Sequence, residues 1–287
     1  MNEPLEKIKT ALFFLILVIV LSLILYLALP RTERVDISFT PNYLPGNMTA
    51  GIILLADAST FSLSVGAPIT LIFPYEEGEN YSSFKDLPND VVPLVSFPPD
   101  TTYHYYEGYL YRMKKALKDE GIPVDAVMIQ NPNYDMLLAA ENTFFDVVIA
   151  QGIGDAKHPD SLLGGKMNLF IVPISPFPME KTIVALPFTP DIRIPEDSWT
   201  PTLDDLIDHV HAVGQLSAQI TTNYRARESS LSFNGQTNKT KLNVQTVWKI
   251  KSVDNANITV GNYSDGTQYI LLSEKVSGVV VEWEDDR

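Results

Sequence analysis

Residues 124–151 read VDAVMIQNPNYDMLLAAENTFFDVVIAQ: two nearly all-apolar runs, Val124 to Ile129 and Phe145 to Ala150, around a short helical pattern from Tyr134 to Asn142. Strands with no polar alternation are buried on both faces, and a helix between two of them is the usual crossover of parallel strands. The unit therefore predicts an α/β fold with a mixed or mostly parallel sheet and flanking helices.

The pattern extends in both directions. Upstream, Gly51 to Ala56, Phe61 to Val65 and Ile69 to Phe73 read as strands, the last two separated by Gly66-Ala67-Pro68 and placed as candidate hairpin neighbours. Residues 76–100 are rich in Pro, Asp, Glu and Asn and read as a long surface loop with a short strand at Val91 to Phe97. A helix follows from about Tyr105 to Glu120, with Leu110, Met113 and Leu117 on one side and Gly121 as its stop. Downstream come strands at Leu169 to Ile174 and Thr182 to Leu186, then a proline-rich segment to Pro201. Thr202 is placed to cap a helix carrying Leu203, Leu206, Ile207, Val210 and Val213 as its apolar stripe, which is expected to run to about Arg227. Beyond it, Leu231 to Phe233, Leu242 to Ser252, Ile258 to Val260, Tyr269 to Leu272 and Val279 to Trp283 alternate, with turns at Asn234-Gly235, Asp265-Gly266 and Ser277-Gly278. They predict a C-terminal antiparallel β meander.

The N-terminus carries a different signal. Ala11 to Leu29 is an uninterrupted apolar run, and at 1.5 Å rise its helix spans roughly 28 Å, close to a bilayer's hydrocarbon thickness. It is longer than a signal-peptide core and its exit, Leu27-Ala28-Leu29-Pro30-Arg31, is a poor cleavage site, so a retained single transmembrane anchor is expected. Lipoprotein anchoring is excluded because the chain has no cysteine. Flanking charge is balanced between Lys7 and Lys9 before the run and Arg31 and Arg34 after it. Five glycosylation triplets, at Asn47, Asn80, Asn238, Asn257 and Asn262, settle the orientation. The organisation expected is a cytosolic terminus over residues 1–10, an anchor over 11–29, an extracellular α/β domain over 30–228 and the meander over 229–287. Sequons without cysteine suggest an archaeal cell surface.

Residues 31–228 hold 13 Lys and Arg against 26 Asp and Glu, net −13. That balance argues against nucleic acid, whose affinity comes from clustered basic residues. No Gly-x-Ser-x-Gly elbow, Walker A loop or His-Glu-x-x-His is present, and Gly152-Ile153-Gly154 lacks the third glycine of a dinucleotide fingerprint. Nothing in the sequence calls for a cofactor.

Three clusters remain. Gln151 to Asp160 leaves an apolar strand at what would be the carboxyl edge of a parallel sheet, where ligands bind. Gly152 and Gly154 allow close backbone approach, Lys157 supplies positive charge, and Asp155, His158 and Asp160 are the catalytic candidates. Catalysis there requires convergence with Asp57, Glu76 or Asp135. On the Thr202 helix, Asp204, Asp208 and His211 share a face and Asp205 with His209 shares another, so the first three are metal candidates, although acidic residues also belong in a helix's first turn. The aromatic group Tyr103, Tyr105, Tyr106, Tyr109 and Tyr111, with His104 among them, offers apolar bodies with polar tips, and Tyr105 and Tyr109 are ligand-binding candidates. The sheet strand with its helix, YDMLLAAENTFFDVVIAQG, loosely resembles folds of the amidotransferase-like class, but that class depends on a cysteine this chain lacks. Two functions follow as expectations: a non-catalytic envelope module binding a glycan or protein partner, or an extracellular hydrolase using the edge near Asp155 and His158.

Overall fold

The computed structural model describes residues 18–21, 35–59, 67–87, 90–98, 101–151, 169–235, 237, 239–255, 257–272 and 276–284. The run predicted as an anchor lies outside them except for residues 18–21, which are helical and exposed. Among the described residues no helix is long and apolar enough to cross a membrane. The strand expected at Phe61 to Val65 also lies outside them.

Strands β1 (Ser38–Asn42) through β9 (Ser198–Trp199) open the fold. Between these two lie β2 (Ala50–Asp57), β3 (Ile69–Pro74), β4 (Val91–Val95), β5 (Ala126–Gln130), β6 (Val147–Gln151), β7 (Phe170–Pro173) and β8 (Ile183–Pro187). Helix α1 (Tyr103–Asp119) joins β4 to β5, and α2 (Tyr134–Asn142) joins β5 to β6. The sheet order is β7-β6-β5-β4-β3-β2-β8, every pair parallel, with β9 added on β2. A parallel bridge from Ile174, just past β7, to Ala185 in β8 brings the two ends together. Sequential parallel strands that return on themselves make a nearly closed barrel. The short strand expected at Val91 to Phe97 is β4, which ends at Val95 and lies in the middle of the sheet, and the loop before it holds a short 3₁₀ turn at Ser82–Phe84. β3 joins β2 in parallel.

The apolar strands divide by alternate residues. Ile53, Leu55, Val92, Ala126, Met128, Val147, Ile149, Phe170, Val172, Ile183 and Ala185 form one cluster shared by strands from both halves of the sheet, which makes it the inner face. The outer face splits in two. Phe73, Val95, Val127, Ile129, Val148, Ala150 and Ile171 meet α1 and α2, while Ile52, Leu54, Ile69, Leu71, Val184 and Leu186 meet Phe188, Ile192 and Ile194. Both faces are buried, so both must be apolar. Gly51 permits β8 to close on β2, because a Cβ there would fall 2.6 Å from Ile183 Cγ1.

Helix α3 (Leu203–Gly214) plugs the inner face with Leu203, Leu206 and Val210. Thr202 caps it as expected, its Oγ1 accepting from the Asp205 N–H at 3.1 Å. It ends at Gly214 rather than near Arg227. The stripe is exhausted after Val213, and the β-branched run Ile220-Thr221-Thr222 that follows favours a strand.

The remaining strands are β10 (Ser217–Asn223), β11 (Glu228–Asn234), β12 (Thr240–Gln245), β13 (Lys249–Val253), β14 (Ile258–Asn262), β15 (Gln268–Leu272) and β16 (Gly278–Glu284). They form two antiparallel sheets, β1-β12-β15-β14 and β10-β11-β16-β13. Leu231, Leu242, Val244, Ile270, Leu272, Val279, Val281 and Trp283 share a core between them. The single strand expected over Leu242 to Ser252 is two strands in different sheets, separated by bends at Thr246 to Trp248.

Candidate functional site

The two ends of the barrel differ in what covers them. At the amino end, the carboxylate of Asp90, one residue before β4, accepts the Leu203 N–H at 2.6 Å. His211 Nε2 lies 2.9 Å from Oδ1 of Asp146, one residue before β6. Helix α3 is therefore tied across this end. The sandwich adds a polar layer: Lys181, two residues before β8, reaches Asp265 and Thr267, Glu180 accepts from Ser264, and the buried Lys241 ammonium donates to the Met48 carbonyl at 2.6 Å. That ammonium also sits over the Tyr269 and Tyr263 rings, at 4.5 and 5.4 Å from their centroids.

The metal candidates belong to this closed end. His211 is paired with Asp146, and His209 turns inward, edge-on to Trp199 at 5.1 Å, with its pKa lowered by burial. Among the described residues no group of three or more His, Asp or Glu side chains is arranged to hold a metal ion, so the i, i+4, i+7 spacing of Asp204, Asp208 and His211 does not make a site. Asp204 and Asp205 occupy the first turn, where they complement the helix dipole.

The carboxyl end is the end at which parallel barrels bind ligands. The loop that leaves β6 here, with Gly152, Gly154, Asp155, Lys157, His158 and Asp160, lies outside the described residues. Of the residues named as its possible partners, Asp57 ends β2 and accepts from the Ser59 N–H and hydroxyl at 2.8 and 2.6 Å, bonds that hold its carboxyl below the usual range. Glu76 follows β3 and Asp135 opens α2.

What the described residues bring together at this end is aromatic. Helix α1 starts at the rim after β4, and its tyrosines separate by helical position. Tyr106 is buried in the core with Leu110, Met113 and Leu117. Tyr103 faces α2, donating to Glu107 at 2.9 Å and accepting from Asn142 at 2.6 Å. Tyr105 and Tyr109 lie on the other flank with rings near parallel, 22° apart at 6.1 Å. Tyr109 also meets Tyr75 edge-on at 6.0 Å and Phe97 at 5.5 Å. Tyr75 stacks on Tyr81 at 5.5 Å, and Tyr81 contacts Phe73 at 4.9 Å.

The cluster runs from a buried base to an open face. Tyr81 is fixed by its hydroxyl, which accepts from the Glu76 N–H at 2.7 Å and donates to the Pro74 carbonyl at 3.1 Å. Tyr109 donates to the Tyr75 carbonyl at 3.4 Å, and burial, reinforced by the neighbouring tyrosines and Glu77, pushes its pKa up to about 12. Burial also raises Tyr75 and Tyr81, so all three are neutral phenols at neutral pH. Tyr105, by contrast, is 44 % exposed. Beside it Arg112 Nε donates to Glu77 Oε1 at 2.8 Å, both side chains more than half exposed. The result is a solvent-facing ring on a rigid aromatic foundation, with a charged donor and acceptor alongside.

Tyr105 and Tyr109 are the two ligand candidates that the structure brings together. Tyr75, Tyr81, Phe97, Glu77 and Arg112 had not been singled out. The signal for the first four is positional, since each follows the apolar run of β3 or β4, where the chain emerges at the carboxyl rim.

No protein-family model matches the chain, and no curated protein matches it. Among solved structures, it aligns with a glycoside hydrolase family 30 subfamily 8 xylanase from Clostridium acetobutylicum at 11 % identity, covering 85 % of this chain and 98 % of that one, with a TM-score of 0.26.

Proposed function

We propose that the chain is a non-catalytic cell-surface module that binds a glycan through the Tyr105 face at the carboxyl rim of its barrel. The observation that carries this reading is the half-exposed Tyr105 ring supported from behind by Tyr109 and flanked by the exposed Arg112–Glu77 pair. A pyranose presents C–H bonds to an aromatic face and hydroxyls at its edge. A flat ring with a guanidinium and a carboxylate beside it meets both requirements.

Charge narrows the ligand. Glu76, Glu77 and Glu79 follow β3 and all are exposed, and the neighbouring Arg112 is already paired with Glu77. Uronate and sulfated polymers would be repelled, so the ligand is a neutral or amino-sugar polymer.

The setting is part of the proposal: residues 11–29 as a single membrane anchor, the N-terminus cytosolic, the remainder outside the cell. Its support is the length and apolarity of that run, together with the sequons. Asn47, Asn80, Asn257 and Asn262 are all exposed, as acceptors must be, while Asn238 lies outside the described residues. The hydrolase alternative needs Asp155 and His158, which also lie outside them.

The test is affinity electrophoresis of the purified full chain through gels containing neutral, amino-sugar or uronate polymers. Retardation by a neutral or amino-sugar polymer, lost in Tyr105→Ala and unaffected in His104→Ala, is expected. Retardation that survives Tyr105→Ala, or that is strongest with uronate, would contradict the assignment.

A further inference from the structure

An exposed strand edge invites another strand unless something on it prevents pairing. Three of the four outer strands of the sandwich carry such a device. β1 contains Pro41, which has no N–H to offer. β13 carries Lys249 and Lys251 and shifts register between Ile250 and Ser252. β14 ends at sequon Asn262 and begins just after sequon Asn257. β10, reading SAQITTN, has no charge, proline, sequon or register shift. It is exposed at six of its seven positions, Ile220 included at 41 %.

Among the described residues β10 pairs only with β11. Bonds on the far side of β11 fix which groups face out. The Phe233 N–H donates to the Ser277 carbonyl, and the Trp283 N–H donates to the Arg227 carbonyl, both at 2.9 Å. Odd-numbered residues of β11 therefore turn their backbone groups toward β16, and even-numbered ones toward β10. The even-numbered residues pair with Ser217, Gln219, Thr221 and Asn223. The N–H and C=O groups of Ala218, Ile220 and Thr222 point away from the sheet.

We propose that β10 is a homodimerisation edge, on which a second copy of this chain adds its own β10 antiparallel about a two-fold axis at Ile220. The outward groups are symmetric about that residue, as an isologous contact requires. Ile220 faces its own counterpart and Ala218 faces the second copy's Thr222, each pair exchanging two N–H···O bonds. Gln219 falls opposite Thr221 and Ser217 opposite Asn223, so no charge meets a like charge. β10 itself carries no charge, so two copies meeting along it face no like-charge repulsion there.

The absence of cysteine makes the test clean, because any introduced thiol is the chain's only one. Hydrogen-bonded antiparallel pairs sit at about 5.5 Å between Cα atoms, within disulfide reach. The full chain in detergent with Ile220→Cys is expected to give at least about tenfold more covalent dimer under mild oxidation than a control with Val247→Cys, a residue that is 70 % exposed. Ala218→Cys and Thr222→Cys should cross-link when mixed and poorly when alone. Ile220→Pro removes an outward N–H, and should yield a monomer by light scattering that keeps the native circular dichroism spectrum and whose unfolding midpoint no longer depends on protein concentration. Equal cross-linking at Ile220 and Val247, or a dimer that survives Ile220→Pro because it is held elsewhere, would overturn the proposal.

Discussion

The amino end of the barrel is sealed and the carboxyl end is furnished. At the amino end Leu206 is fully buried under the sheet, Asp90 and Asp146 tie α3 down, and Lys181 and Lys241 dock the sandwich. At the carboxyl end the polar and aromatic groups face outward from a rigid base. The contrast teaches that chemically suggestive residues mean different things at the two ends. On α3, His211 is tied to Asp146 and His209 is turned inward against Trp199, whereas Tyr105 at the rim keeps a ring that is 44 % exposed.

The contrast can be broken or sharpened by substitution, and the sealed end should show the largest losses of stability. Leu206→Ala removes the middle of the plug and should cost about 2–5 kcal/mol in urea unfolding. A cost below about 1 kcal/mol would mean that α3 is not part of the barrel core. Thr202→Ala removes the cap, and a loss of about 1 kcal/mol is expected by the same measurement.

The buried ammonium supplies a pH signature. Burial lowers Lys241 from the ordinary lysine value of 10.5 to about 8, opposed by the nearby Asp197 and Glu180. Between those two values the unfolded chain holds a proton that the folded chain has released, so this group's contribution to stability rises with pH across that window. The stability of the native protein relative to Lys241→Met should therefore rise from pH 8 to 10, by less than about 1.4 kcal/mol per unit, the limit for one proton. Parallel curves would place that ammonium in contact with water. At the open end, Tyr105→Ala should move stability by no more than about 0.5 kcal/mol, because its ring is half exposed and packs on one side only. A larger loss would make Tyr105 a structural residue.

Much of the α/β order was readable because strands buried on both faces cannot hide their apolarity. The helix expected at Tyr134 to Asn142 has those bounds, fixed by Asn133, whose side chain accepts the Met136 N–H at 2.9 Å. Pairing order was not readable. Nothing local in β1 says that it leaves its neighbour β2 to join β12, and nothing in β8 says that it closes on β2. The α3 terminus was overextended because Ala218 and Gln219 are tolerable in a helix, and the β-branched run Ile220-Thr221-Thr222 after them, which pairs with Leu231, Ser230 and Ser229, was not weighed against them. The site was half legible. Tyr105 and Tyr109 stood out as part of a dense run, but Tyr75, Tyr81 and Phe97 sit in or beside a segment that reads as an irregular loop. Only the parallel sheet brings them under the helix.

The most direct test of the open rim uses the placement of tryptophan. Trp199 lies at the sealed end and Trp248 and Trp283 in the sandwich core, so the native chain has no indole in the aromatic rim cluster. Tyr105→Trp adds one there. Titrated with the neutral or amino-sugar polymer that retards the protein, this variant should show a saturable change in emission while the native chain shows none. A native chain that responds as strongly, or a variant that stays silent while the polymer is bound, would place the ligand away from the rim and contradict the account.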